Sequence, residues 1–185
     1  MTRTGVAIAL ALALAAIGLA SIVRITGPSR VPTPSVAAAP AVGLLVPVVG
    51  VPRAALRDSW GEARGDGTRL HHAIDIMAPI GTAVVAAGEG RVEKLFTSDL
   101  GGLTIYERSA DGRTIYYYAH LDRYAPTLAE GQPVRAGQTL GAVGASGDAD
   151  PGAPHLHFEV HRMAPGQPWW QGAEVNPYSL LAHPA

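Results

Sequence analysis

The sequence predicts a mostly β domain, with antiparallel sheets and hairpins forming a groove, preceded by an N-terminal hydrophobic helix. Three observations carry this. Glycine (22) and proline (15) are abundant, as frequent turns between short strands require. Short apolar or alternating stretches lie between those turns. Beyond residue 43, no stretch keeps helical periodicity for the roughly ten residues that separate a helix from a strand.

The first element is the uncharged run Gly5 to Val23, rich in Ala, Leu and Ile and preceded by Arg3. It is long enough to approach the roughly 20 apolar residues of a membrane anchor. Gly18-Leu19-Ala20 also offers the small-residue cleavage site of a signal peptide. Residues 1–23 are therefore expected to be a signal peptide or a single membrane anchor, and either exports the rest. Residues 24–42 follow as a Pro/Ala-rich linker, with Pro28, Pro32, Pro34 and Pro40 blocking helix and sheet alike. The expected folded domain is 43–185.

Inside it, Ala83 to Ala87 reads as a short apolar strand and Gly88-Glu89-Gly90 as a turn. Arg91 to Phe96 alternates polar and apolar. Gly101-Gly102 leads into Leu103 to Tyr106, and Ala110 to Arg113 is a hairpin turn before Thr114 to His120. Gly131, Gly137, Gly141, Gly144 and Gly147 punctuate the strands that follow, and His155 to His161 is the last strong one.

Bulk composition narrows the function. A chain of 185 residues holds one ordinary domain and a short appendage. Lys+Arg (14) nearly balance Asp+Glu (15), so the basic field that nucleic acid demands is missing. With no cysteine, any metal must be held by histidine and carboxylate.

Three contexts hold the candidate chemistry. In His155 to His161, residues two apart share a face, so His155, His157, Glu159 and His161 line one side and Leu156, Phe158 and Val160 the other. The apolar side must be buried, which turns the histidines toward a groove or solvent. In Arg69-Leu70-His71-His72-Ala73-Ile74-Asp75, a straight strand would hold His71 and Asp75 about 13 Å apart. That is too far for one zinc ion, so a shared metal requires a bend near Ala73. In Tyr116-Tyr117-Tyr118-Ala119-His120, strict alternation places His120 on one face with Tyr118 and Tyr116. Each context alone also fits a bland surface or structural reading.

Together they resemble the lysostaphin/LytM-type zinc metalloendopeptidases. That family carries H-x-G-x-D, a histidine at a strand end, and H-x-H. These correspond to His71 to Asp75, His120, and His155-Leu156-His157. Ala78-Pro79-Ile80-Gly81-Thr82-Ala83-Val84 and the glycine-rich Gly141 to Gly147 match the family's surroundings. The resemblance implies a barrel-sandwich-hybrid-like fold, with Zn2+ held by His71, Asp75 and His157, and His120 and His155 as catalytic groups. It implies an exported hydrolase, periplasmic or anchored to the inner membrane, that cuts peptide cross-links between peptidoglycan stem peptides. A short membrane-proximal form suits wall remodelling, so a D-alanyl–diaminopimelate link is the expected substrate. Such a site leaves an open metal position for water, whose pKa falls to about 7 on zinc.

Two departures stand out. The motif glycine is Ala73, and its Cβ costs about 1 kcal/mol if that position needs positive φ. A tyrosine that some members place shortly before the first ligand is missing between Asp58 and Leu70, leaving Arg64 or the two free histidines to cover its role.

Other residues read as surface or support. His72 is expected beside the site, His161 and His183 at the surface, and Glu159 either behind a ligand or exposed. Trp169-Trp170 is expected to pack the C-terminal segment rather than floor a groove. Two rivals remain. A non-catalytic wall-binding or hydrolase-activating module would lack ligands, whereas this set is complete. A lipoyl- or biotin-carrier domain would need a lysine at an exposed turn, whereas the single lysine, Lys94, sits in a predicted strand.

Overall fold

The structure, a computed structural model, describes residues 43–65 and 67–182. The predicted N-terminal helix, the linker and His183 lie outside the described residues. Among the described residues, no helix is long and apolar enough to cross a membrane.

A two-stranded arm comes first, β1 (Ala63–Arg64) against β2 (Arg69–Leu70). The main sheet has nine strands: β3 (Ile74–Met77), β4 (Ala83–Val85), β5 (Gly90–Ser98), β6 (Gly102–Ser109), β7 (Thr114–Tyr124), β8 (Pro133–Val134), β9 (Thr139–Val143), β10 (His155–Arg162) and β11 (Ala173–Val175). Every pairing within it is antiparallel. The only α-helix among the described residues is the short α1 (Pro177–Ala182). The mostly β, antiparallel expectation therefore holds. Turns fall at 110–113 and 87–89, where glycine and aspartate were read as breakers.

Strand β10 is the spine of the site. One edge pairs with β7, and the other is shared by β3 at His155 to Phe158 and β11 at Val160 to Arg162. Its back face buries Leu156, Phe158 and Val160 as the alternation required. They join Ile74, Ile76, Ile105, Tyr118 and Leu121 in the core. Fully burying one such side chain contributes about 1.5–3 kcal/mol, so the apolar side of β10 fixes the polar side outward.

Strand β7 departs from simple alternation. Ile105 pairs with Tyr118 but Leu103 pairs with Leu121, so β7 holds one residue more than β6 across this interval. This β-bulge contains His120, whose φ of 60° is the only positive value at a non-glycine among the described residues. The left-handed conformation costs a non-glycine residue about 1–2 kcal/mol. It resets the alternation, so that Tyr116, Tyr118 and Leu121 are all buried in the core. Tyr117, Ala119 and His120 line the groove instead. The expectation that His120 shares a face with Tyr118 and Tyr116 is thus corrected, because the extra residue swings it to the opposite side. Nor does the strand end there, since it runs on to Tyr124.

Two glycines make that swing possible. Gly102 (φ 63°) and Gly147 (φ 75°) touch backbone to backbone, and a Cβ on either would collide with the other's segment. The close approach brings Gly101 O to the His120 N–H at 2.8 Å and Ser146 O to the His120 ring at 2.8 Å.

Candidate metal and catalytic centre

His71 and Asp75 come together because the chain bends at Ala73, between β2 and β3. Ala73 itself is fully buried and does not take positive φ, so the substituted motif position carries no left-handed strain. Ser59 stitches the bend. Its carbonyl accepts His71 Nδ1–H at 2.9 Å, and its hydroxyl accepts the Asp75 N–H at 3.2 Å. Asp75 is the direct cross-strand partner of His157. Directly opposed residues hold their Cβ atoms about 4.5–5.5 Å apart, within reach of one another's side chains.

Three ligand-type atoms converge as a result. His71 Nε2 lies 3.0 Å from Asp75 Oδ1 and 3.1 Å from His157 Nδ1. His157 Nδ1 lies 3.4 Å from Asp75 Oδ1. Asp75 Oδ1 is buried and has no hydrogen-bond partner among the described residues. The other carboxylate oxygen, Oδ2, accepts from Arg64 Nη2 at 2.5 Å. The group His71, Asp75 and His157 is sterically able to hold a metal ion.

His155 and His120 stand beside it. Their rings are 5.0 Å apart, and His120 is 5.5 Å from His157. His155 Nε2 lies 3.6 Å from Asp75 Oδ1. All five sequence-predicted residues line one groove of about 1070 Å³, with exposed Leu70, Met77 and Leu100 also on its walls.

Carbonyl oxygens only accept, so the ring nitrogen facing one must carry the proton. His120 Nδ1–H donates to Ser146 O and His155 Nδ1–H donates to Ala153 O at 2.8 Å. Each of these rings, when neutral, turns its Nε2 lone pair away from that bond. Burial pushes the His120 pKa down, His157 and His155 push the same way, and the Ser146 carbonyl only partly offsets them. For Asp75, burial alone would raise the pKa, but His157 and His71 beside it hold the carboxyl well below the usual carboxylate range. For His157, burial works against the charged form, yet the carboxylates of Asp75 and Glu159 push it up to about 9. The cluster therefore favours positive charge among its three converging atoms, whether a proton or a cation.

Several supporting residues escaped sequence reasoning. Ser59 and Ser146 hold the His71 and His120 rings through backbone carbonyls, which carry no residue-type signal, and their hydroxyls bond the Asp75 N–H and the Leu103 N–H. His161, expected at the surface, is mostly buried and donates through Nε2 to Glu159 Oε2 at 2.6 Å. Arg64 has both terminal nitrogens engaged, by Glu62 and Asp75, so it is not free to replace the missing tyrosine. His72 faces Glu174 at 2.6 Å and stacks on Trp60. Trp169 packs on Tyr106 and Phe96, while Trp170 is 63% exposed. Lys94 lies in β5, paired with Glu130 at 2.8 Å, rather than at a turn that would carry a cofactor.

An antiparallel β domain that gathers a His–Asp–His group and two further histidines in one groove has the donor set of a candidate metal centre. The profile of Peptidase family M23 matches residues 69–177, and the chain belongs to that family. Among its relatives is the L-Ala–D-Glu endopeptidase of Bacillus subtilis, 38% identical over 131 residues, which are 68% of this chain and 39% of that protein. Another is the peptidoglycan DD-endopeptidase ShyC of Vibrio cholerae, 37% identical over 91 residues, covering 49% of this chain and 20% of that one. The chain thus spans well under half the length of these two relatives. The catalytic domain of lysostaphin from Staphylococcus simulans superposes with a TM-score of 0.53 at 29% identity, covering 63% of this chain and 86% of that domain. The lysostaphin-type resemblance read from the motifs is borne out.

Proposed function

We propose that this chain is a zinc-dependent endopeptidase that hydrolyses peptide cross-links of bacterial peptidoglycan outside the cytoplasm. The observation that carries the reading is the convergence of His71 Nε2, Asp75 Oδ1 and His157 Nδ1 at 3.0–3.4 Å from one another. Zinc bonds of about 2.0–2.1 Å in a tetrahedral arrangement set ligand atoms about 3.3 Å apart, which this spacing fits. The orphaned Asp75 Oδ1 fits as well, since a cation would satisfy it. His71, Asp75 and His157 would hold the ion. Bound zinc would supply Lewis acidity and make water a competent nucleophile near neutral pH.

The chain's own residues do the rest. Burial lowers the His120 pKa and favours its neutral form, and with Nδ1–H tied to Ser146 O its Nε2 is the atom that accepts the proton of the attacking water. His155, tied to Ala153 O, presents its Nε2 beside Asp75; when protonated there, its Nε2–H would donate to the developing oxyanion, while the proton that His120 took from the water passes from His120 Nε2 to the leaving amine. A complete ligand set with both imidazoles in place favours this over a non-catalytic wall-binding module. Residues 1–23 would carry the domain across the membrane, or hold it there, and 24–42 would tether it. The two relatives are named for different bonds, L-Ala–D-Glu in one and a peptidoglycan DD linkage in the other. Our reading is the D-alanyl–diaminopimelate cross-link.

The test is digestion of purified cross-linked muropeptides, with and without chelator, read by mass spectrometry. The expected result is conversion of dimers to monomers that chelator abolishes. Dimers left intact by zinc-loaded protein would refute cross-link cleavage, and loss of the stem at L-Ala–D-Glu would move the cut to that bond.

A further inference from the structure

The four histidines in and beside the His–Asp–His cluster, His71, His120, His155 and His157, are not held alike. His71, His120 and His155 each donate Nδ1–H to a backbone carbonyl, of Ser59, Ser146 and Ala153 respectively. A backbone carbonyl keeps its place whatever side chain its residue carries. His157 is the exception, because its Nε2 lies 2.8 Å from a side-chain carboxylate oxygen, Glu159 Oε1. Glu159 sits two residues further along β10 on the same face, and its second oxygen accepts from His161 Nε2 at 2.6 Å. His157, Glu159 and His161 thus form a side-chain chain along one strand face, ending at the metal cluster. Both nitrogens of His157 face carboxylates, Asp75 in front and Glu159 behind.

We infer that Glu159 is a positioning residue for the metal: it accepts His157 Nε2–H and so presents the Nδ1 lone pair to the site, while His161 holds the Glu159 carboxylate in that orientation. The inference rests on the reading of His157 as a ligand. An imidazole whose rear N–H bonds a carboxylate is fixed in one tautomer and one ring orientation, and it becomes a more basic ligand. Without that partner, the proton can move to Nδ1, and the ring can turn so that a carbon faces the ion. Geometry also argues against a merely space-filling role. Each Glu159 oxygen is matched to a different ring nitrogen, and all three side chains are mostly buried.

The test measures zinc affinity rather than turnover. The full-length protein and its Glu159→Ala, Glu159→Gln, His161→Ala and Asp75→Ala variants are stripped of metal and titrated with zinc against a chromophoric chelator. Glu159→Ala is expected to bind zinc about 10–100-fold more weakly, and Glu159→Gln, which keeps one acceptor oxygen, to fall between it and the parent. His161→Ala is expected to show a smaller loss. In the zinc-loaded parent, the His157 Hε2 proton should appear as a slowly exchanging, downfield imidazole resonance that Glu159→Ala removes. Melting of the metal-free variants separates this from a folding defect. If Glu159→Ala does not fold, Glu159→Gln and the Hε2 resonance carry the test. Parental zinc affinity in the Glu159 variants would overturn the inference. Zinc retained in Asp75→Ala, or no zinc bound by the parent, would overturn the ligand reading and this inference with it.

Discussion

Arg64 Nη2 meets Asp75 Oδ2 at 2.5 Å, and this leaves Oδ1 as the one Asp75 oxygen turned toward His71 Nε2, 3.0 Å away. The carboxylate is thereby divided between a guanidinium on the β1–β2 arm and the two histidines of the candidate metal group, His71 and His157. Arg64 Nη1 also reaches Glu62 Oε2 at 3.2 Å, which ties the arm's entry to the same point. Arg64→Ala should free Asp75 to rotate, weakening zinc by about 10–100-fold as loss of such a partner does. Arg64→Lys should rescue only part, since a single ammonium lacks the planar fork that reaches both acceptors. Chelator competition checks this, and unchanged affinity in Arg64→Ala would show that the pair does not orient the ligand.

Asp75 itself supplies the only carboxylate of the cluster. Asp75→Ala should release most of the metal from a protein that otherwise carries one zinc per chain. Elemental analysis of the purified variant decides it, and a full complement of zinc would remove Asp75 from the ligand set.

The two histidines of the H-x-H motif should separate cleanly. His157→Ala should lose both zinc and activity, because Nδ1 is one of the three converging atoms. His155→Ala and His120→Ala should keep zinc yet slow cleavage by about 10²–10⁴-fold, the loss typical of a missing general acid or base. Metal content and single-turnover rates, measured on the same preparations, test this. Zinc lost from His155→Ala but kept by His157→Ala would reverse the two roles.

Glu107 makes a pH prediction away from the site. It is fully buried on β6, where Tyr118 O–H donates to its Oε2 at 2.5 Å, while its Oε1 has no partner among the described residues. Burial pushes its pKa from 4.5 up to about 8, against the lowering effect of the Tyr118 bond. A raised carboxyl pKa favours the folded state fully only below about pH 4.5, where both states are protonated. Between pH 4.5 and about 8 the unfolded chain gives up the proton and the folded chain keeps it, so stability falls by a few kcal/mol, at about 1.4 kcal/mol per pKa unit. Glu107→Gln keeps an acceptor for Tyr118 and removes the titration. It should match the parent at pH 5 and exceed it by about 3 kcal/mol or more at pH 8. Chemical denaturation at the two pH values tests this, and an equal difference at both would refute it.

How much of this was legible in the chain depends on the range of the interaction. The alternation in His155 to His161 is local, and Leu156, Phe158 and Val160 are buried as read. The bend at Ala73 followed from arithmetic, since two side chains four residues apart along a straight strand lie about 13 Å from one another and could not reach one ion. His120 was identified by type but placed on the wrong face. Its bulge is set by pairing with β6 and β9 and by the contact of Gly102 with Gly147, none of which strict alternation can show.

Sequence alone determined the class of fold, the family and the candidate residues, because turn residues, two-residue periodicity and metal-ligand chemistry are written locally. Only the tertiary structure decided which atom of each residue faces the site. The cross-strand pairing of Asp75 with His157, the Ser59 and Ser146 carbonyls that set the His71 and His120 tautomers, and the Glu159–His161 support behind His157 all join segments or side chains whose mutual orientation exists only once the sheet has closed. A hydrogen bond requires its partners about 3 Å apart and aligned, and no spacing along the chain encodes that for residues brought together by folding.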